Sequence, residues 1–140
     1  MNLHHVGIVV KDLQAHGAAY ASSLGLIPEA GVVHDPMQKV NIRFWRDSSG
    51  NLLELIEPAD ATSPVAQAAT KGGGLNHLCY EVEDIEQQVA RAVENGAILL
   101  GRIVPAVAIS NRRVAFLYFR KLGLIEYLEA SLKHEHAQEV

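Results

Sequence analysis

Two histidines and two glutamates stand at matched positions of an internal repeat, and these residue types are common metal ligands. His77 follows His5 by 72 positions, and Glu126 follows Glu54 by the same 72 positions. Each glutamate lies inside an apolar run, where a carboxylate is costly to bury unless it is paired. Two imidazoles and two carboxylates suit Ni²⁺, Co²⁺, Fe²⁺, Mn²⁺ or Zn²⁺ and leave coordination positions open. We therefore predict a divalent metal site made of His5, Glu54, His77 and Glu126.

Each of these residues has a simpler interpretation when it is taken alone. A single histidine in a strand is more often a hydrogen-bonded core residue than a ligand, and Glu54 alone could form a salt bridge or face solvent. The metal site is favoured because the same offset recurs elsewhere in the chain. The further matched pairs are Asp12 and Asp84, Phe44 and Phe116, and Glu57 and Glu129.

The elements that position the four residues repeat in the same order, β-α-β-β-β, in each half. His5 and His77 lie in the first strand of their halves, and Glu54 and Glu126 lie in the fourth. A four-stranded sheet with one helix has one covered face and one bare face. A pseudo-two-fold between the halves would turn both bare faces towards one cavity. We therefore predict an α+β protein in which two tandem βαβββ modules form a cupped mixed sheet.

The predicted boundaries follow turn and linker composition. A chain of 140 residues fits one compact domain or two small fused halves, and we predict a single domain. Its predicted parts are a first module at 1–58, a linker at 59–74, a second module at 75–130 and a polar tail at 131–140. The second strand is predicted over 28–34, although Gly31 interrupts it, and Pro64 can begin a short helix in the linker.

Composition excludes several classes of function. The formal net charge is −4, and the 12 lysines and arginines form no long block, which argues against nucleic-acid binding. No apolar run approaches the roughly 18 residues of a membrane-spanning helix. Cys79, the one cysteine, cannot form an internal disulfide, which favours a reducing compartment. We expect a cytoplasmic protein with neither a nucleic-acid nor a membrane partner.

A cationic segment supplies a candidate substrate contact. Asn111, Arg112 and Arg113 open a predicted strand. Guanidinium groups bind carboxylates and phosphates through paired hydrogen bonds. The segment is therefore predicted to hold an acidic group of the substrate, with a solvated turn as the alternative interpretation.

The repeat resembles the vicinal oxygen chelate superfamily, which includes glyoxalase I, methylmalonyl-CoA epimerase, fosfomycin-resistance proteins and extradiol dioxygenases. The similarity covers almost the whole domain and is greatest to the epimerase and glyoxalase I branch. The matching stretches are 4–12 (HHVGIVVKD), 53–58 (LELIEP), 76–84 (NHLCYEVED) and 123–129 (GLIEYLE).

This resemblance implies a fold, a ligand set and a reaction. The fold is the glyoxalase/bleomycin-resistance fold, and the four metal ligands match His5, Glu54, His77 and Glu126. The implied enzyme is a metal-dependent isomerase or lyase that removes a proton next to a carbonyl and stabilises the enediolate or enolate. Glu126, and also Glu54, are the expected bases, and an acyl or α-hydroxycarbonyl compound is the expected substrate. A homodimer is also expected, because members of this size commonly dimerise.

Two positions depart from the well-known relatives. The epimerase branch has a second carboxylate base where this chain has Met37, and glutathione-dependent glyoxalase I has an arginine where this chain has Val9. A less charged substrate is one explanation, and substrate contacts supplied from elsewhere are the other. Two alternatives to the isomerase also stay open, namely epoxide opening as in fosfomycin resistance and small-molecule sequestration without a metal.

Overall fold

A computed structural model describes residues 1–131 of the chain. None of the helices in this range combines the length and the apolar character needed to cross a bilayer. A 3₁₀ turn at Val107–Ile109 lies shortly before the strand that begins at Arg112. The elements, in chain order, are β1 (Asn2–Val9), α1 (Leu13–Leu24), β2 (Ile27–Pro28), β3 (Val33–Asp35), β4 (Val40–Arg46), β5 (Leu52–Pro58), α2 (Ala66–Thr70), β6 (Gly74–Val82), α3 (Ile85–Glu94), β7 (Ile98–Ala106), β8 (Arg112–Phe119) and β9 (Gly123–Glu129).

The chain divides into two compact units. The N-terminal unit is His4–Leu78, and the C-terminal unit is Met1–Leu3 together with the described residues from Cys79 onward. The module boundaries drawn from the sequence stay a prediction.

The N-terminal unit contains a mixed sheet with the strand order β2-β4-β5-β1, followed by the start of β6. β1 runs parallel to β5, with Gly7 beside Glu54. β4 runs antiparallel to β5, with Phe44 beside Glu54. Residues that lie side by side in neighbouring strands point to the same face. One face of this sheet therefore carries Glu54, Phe44 and the alternate residues of β1, including His5.

The opposite face of this sheet packs against α1. Asp12 caps this helix through a 2.9 Å hydrogen bond from the Ala15 amide, and the Glu57 carboxylate accepts a 2.7 Å hydrogen bond from the Leu13 amide. Gly25 ends the helix in the left-handed conformation. The apolar core between helix and sheet contains Ile8, Val10, Leu13, Leu26, Trp45 and Leu55. Because this core occupies the face of β1 and β5 that packs against α1, Glu54 lies on the opposite face of the sheet.

The C-terminal unit repeats this arrangement around α3. β7, β8 and β9 form antiparallel pairs, and β9 lies beside β6. Asp84 caps α3 by accepting a 3.0 Å hydrogen bond from the Gln87 amide, as Asp12 does in α1. The core contains Val82, Ile85, Val89, Ala92, Ala97, Ala115, Leu117, Ile125 and Tyr127.

The predicted α+β class is confirmed, with local differences in the element bounds. The second predicted strand is two short strands, β2 and β3, which both pair with β4 and leave Gly31 between them. The linker helix begins at Ala66, two residues later than Pro64 suggested. The predicted polar tail lies, from residue 132 on, outside the described residues.

Candidate metal centre

The N-terminal unit brings three of the predicted ligands to one point. The Nε2 atom of His5 lies 3.4 Å from Oε1 of Glu54, and the Nε2 atom of His77 lies 3.4 Å from the same oxygen. The two Nε2 atoms are 3.4 Å apart. The three donor atoms thus form an equilateral triangle, and their residues are at most 5% exposed.

The spacing of this triangle fits a divalent ion. Zinc lies about 2.0–2.1 Å from imidazole nitrogen and about 2.0–2.2 Å from carboxylate oxygen. At such bond lengths, donor atoms on one face of a tetrahedral or octahedral ion are roughly 3.0–3.4 Å apart. The observed separations of 3.4 Å lie at the upper end of this range. The residues present therefore fit the metal that the sequence predicts.

Glu54 is held in its charged form at this point. Burial raises the pKa of its carboxyl group, but when the two imidazoles are protonated, hydrogen bonds and positive charge from His5 and His77 outweigh burial and lower this pKa to about 2. A buried carboxylate that stays ionised at neutral pH is a ready ligand for a cation.

The second nitrogen of each imidazole also has a defined partner in this unit. Nδ1 of His77 lies 2.9 Å from Oδ1 of Asn76, and Nδ1 of His5 lies 2.8 Å from Nδ1 of His4. The amide oxygen of Asn76 can only accept, so Nδ1 of His77 donates, and in the neutral ring Nε2 keeps its lone pair. Such outer contacts fix the ring orientation of a metal-bound histidine. Sequence reasoning missed Asn76, although His4 and Asn76 also stand 72 positions apart, directly before the two histidines.

Glu126, the fourth predicted ligand, belongs to the C-terminal unit. It lies on β9 opposite Phe116 of β8, just as Glu54 lies on β5 opposite Phe44 of β4. Glu126 is 3% exposed. Its neighbours Ile125 and Tyr127 point into the core against α3, so Glu126 points to the other face of its sheet.

The predicted substrate contacts lie in the C-terminal unit, and both arginines have carboxylate partners there. Arg112 pairs with Glu81, and Arg113 pairs with Glu86 and Glu129. Asn111 adopts a left-handed conformation with φ of 60°. The contact of this segment with a substrate stays a prediction, and these ion pairs mean that an anionic substrate group would have to share the guanidinium groups with carboxylates.

The two positions that depart from the relatives differ in exposure. Met37 lies in the turn between β3 and β4 and is 50% exposed, whereas Val9 is buried in β1. The turn is held by Asp35, whose Oδ1 accepts hydrogen bonds from the Met37 and Gln38 amides.

Comparison with known proteins identifies the family of the chain. Residues 4–116 match the family model of the Glyoxalase/Bleomycin resistance protein/Dioxygenase superfamily. The chain belongs to this superfamily. It is 38% identical to the ethylmalonyl-CoA/methylmalonyl-CoA epimerase of Cereibacter sphaeroides over 119 residues, which cover 83% of this chain and 87% of that protein.

Two further relatives are methylmalonyl-CoA epimerases. The mitochondrial methylmalonyl-CoA epimerase of Homo sapiens is 37% identical over 62% of this chain, although the match spans only 49% of that longer protein. The crystal structure of methylmalonyl-CoA epimerase from Mycobacterium tuberculosis superimposes with a TM-score of 0.81, covering 96% of this chain and 91% of that chain at 25% identity. The glyoxalase fold and the prediction of an isomerase of the epimerase type are thereby confirmed.

Proposed function

We propose that the protein is a divalent-metal-dependent epimerase of acyl-CoA thioesters of the ethylmalonyl and methylmalonyl type. The observation that supports the metal site is the triangle of donor atoms from His5, Glu54 and His77. The name of the Cereibacter sphaeroides relative, which matches this chain over most of both lengths, supplies the substrate class. We propose Glu126 as the fourth ligand because it repeats the position of Glu54 in the duplicated unit.

The proposed reaction inverts the configuration at the acidic α-carbon of the substrate. In a malonyl-type thioester, the α-carbon carries a proton between a thioester carbonyl and a carboxylate. A bound divalent cation would supply a Lewis acid that polarises the substrate oxygens and lowers the cost of the developing negative charge. Glu126 accepts the α-proton, and inversion is complete when a proton is returned to the opposite side of the same carbon.

The return of the proton requires a second acid–base group. Met37 has no ionisable group, so it cannot act as the second base. We propose Glu54 for this role, although the two imidazoles that lower its pKa to about 2 make it a weak base while they are charged. The variants Glu54→Gln and Glu126→Gln distinguish the roles of the two carboxylates. In each variant the glutamine amide can still coordinate the metal, but it cannot act as a base.

Solvent deuterium exchange tests the proposal. Metal-loaded protein is incubated with methylmalonyl-CoA in D₂O, and incorporation at the α-carbon is followed by mass spectrometry. General-base catalysis is worth about 10²–10⁴-fold, so Glu126→Gln is expected to slow exchange by that factor. Glu94→Gln removes an exposed carboxylate of α3 and is the matched control, with exchange expected at the wild-type rate. Full exchange in Glu126→Gln would remove Glu126 as the base.

Other substrates separate the other enzyme classes. The hemithioacetal of methylglyoxal and glutathione tests a glyoxalase I-type lyase, and an epoxide with a thiol tests fosfomycin-type chemistry. A protein that binds none of the candidate metals on titration would instead be a small-molecule binder. We further propose a cytoplasmic homodimer, on the basis of the single cysteine and the usual assembly of family members of this size.

A further inference from the structure

We infer that Gly7 is a positioning residue for the ligand His77, because its missing side chain forms the slot in which the His77 ring lies. This inference rests on the proposed metal site. A Cβ atom placed on Gly7 would lie 2.6 Å from Nε2 and 2.5 Å from Nδ1 of His77, with Cε1 nearer still. Real Cβ atoms do not approach ring atoms so closely, so any side chain at this position displaces the imidazole.

The location of Gly7 explains why this contact affects the metal ligands. Gly7 pairs with Glu54 in the parallel register of β1 and β5. A side chain on Gly7 would therefore point to the same face as the Glu54 carboxylate. On that face, Nε2 of His77 lies 3.4 Å from Oε1 of Glu54. The slot at Gly7 thus sets how far the His77 ring reaches into the triangle of donor atoms.

Backbone conformation does not account for a glycine at this position. The backbone of Gly7 has none of the positive φ angles found at eight other glycines of the chain, so alanine fits its conformation. A glycine inside a strand weakens the strand, and a close approach of another group is a common reason for one. At the matched position of the repeat, 72 residues on, the chain has Cys79, which carries a side chain. The slot is therefore a feature of the first half only.

The His77 ring is also held on its other edge. The Asn76 side chain accepts a 2.9 Å hydrogen bond from Nδ1. A ring displaced by a methyl group at position 7 has to leave this hydrogen bond or the donor triangle. Because an imidazole at the end of a side chain swings more easily than a strand bends, we expect Gly7→Ala to fold with His77 out of place.

Metal affinity and thermal stability together test this role. Zn²⁺ titration calorimetry is run on the native protein, on Gly7→Ala and on two control variants. Gly7→Ala is expected to weaken Zn²⁺ binding by about 10–100-fold, the usual effect of losing an outer contact of a ligand. Gly31→Ala adds a methyl group in open space, and Gly17→Ala adds one that meets Trp45 in the core, so both are expected to bind Zn²⁺ as the native protein does.

A double-mutant cycle on metal-free protein isolates the steric contact. Gly7→Ala is expected to lower Tm by about 3–10 °C in the native background, from the strain of overpacking. In a His77→Ala background the ring is gone, so Gly7→Ala is expected to lower Tm less. Native Zn²⁺ affinity in Gly7→Ala, or an undiminished loss of Tm in the His77→Ala background, would overturn the inference. If the native protein bound no metal, the proposed function would fail, while the Tm cycle would still decide whether the slot exists.

Discussion

Removing the amide of Asn76 is expected to weaken metal binding without removing a ligand. The Asn76→Ala variant loses the acceptor that lies 2.9 Å from Nδ1 of the buried His77 ring. Without this acceptor the proton of the neutral ring is no longer held on Nδ1, so the Nε2 lone pair is no longer reserved for the point shared with His5 and Glu54. Losses of such outer contacts reduce metal affinity by about 10–100-fold. This range corresponds to roughly 1.4–2.8 kcal/mol.

Calorimetric titration with Zn²⁺ measures this effect, and two variants control it. Asn76→Asp keeps an oxygen acceptor at the same position and is expected to bind at least as tightly as the native protein. Asn95→Ala removes an amide that donates to the Arg91 carbonyl at the end of α3 and is expected to change nothing in the titration. Native affinity in Asn76→Ala would refute the reasoning, as would an equal loss in Asn76→Asp.

Two further predictions concern stability. Asp12→Ala and Asp84→Ala each remove a helix N-cap, which lowers the free energy of unfolding by about 1 kcal/mol. Differential scanning calorimetry should show similar Tm losses for both variants. A Tm loss in only one of them would contradict their equivalence in the repeat. Hydrogen bonds from Arg113 lower the pKa of Glu129. This pair therefore stabilises the fold fully at pH values above the ordinary carboxyl pKa of 4.5, and the stabilisation is lost as the pH falls through the lowered pKa. The Tm difference between native protein and Arg113→Met should therefore be largest near neutral pH and shrink on acidification, and a difference that grows in acid would contradict it.

The fold was largely accessible from sequence because its signals are local and repeated. Asp12 and Asp84 both cap helices as their spacing predicts, and the apolar runs around Glu54 and Glu126 both form strands. The split of the second strand was harder to predict. Gly31 signalled an interruption, but only the pairing of both β2 and β3 with β4 shows that the chain resumes as a second strand.

The candidate site was accessible only in part. The 72-residue offset identifies His5, Glu54 and His77, because duplication places equivalent residues alike. The role of Asn76 and the slot at Gly7 depend on where the His77 ring lies in space, which the one-dimensional pattern does not contain. The carboxylate partners of Arg112 and Arg113 are likewise non-local, since they come from β6, α3 and β9.

The central proposal is that His5, Glu54, His77 and Glu126 bind one divalent ion. Anomalous X-ray diffraction from crystals grown with Co²⁺ or Zn²⁺ tests this claim most directly. The account predicts one strong peak at about 2.0–2.2 Å from the Nε2 atoms of His5 and His77 and from a carboxylate oxygen of Glu54 and of Glu126. A peak bound elsewhere, or a metal-saturated crystal with no peak at these four side chains, would contradict it.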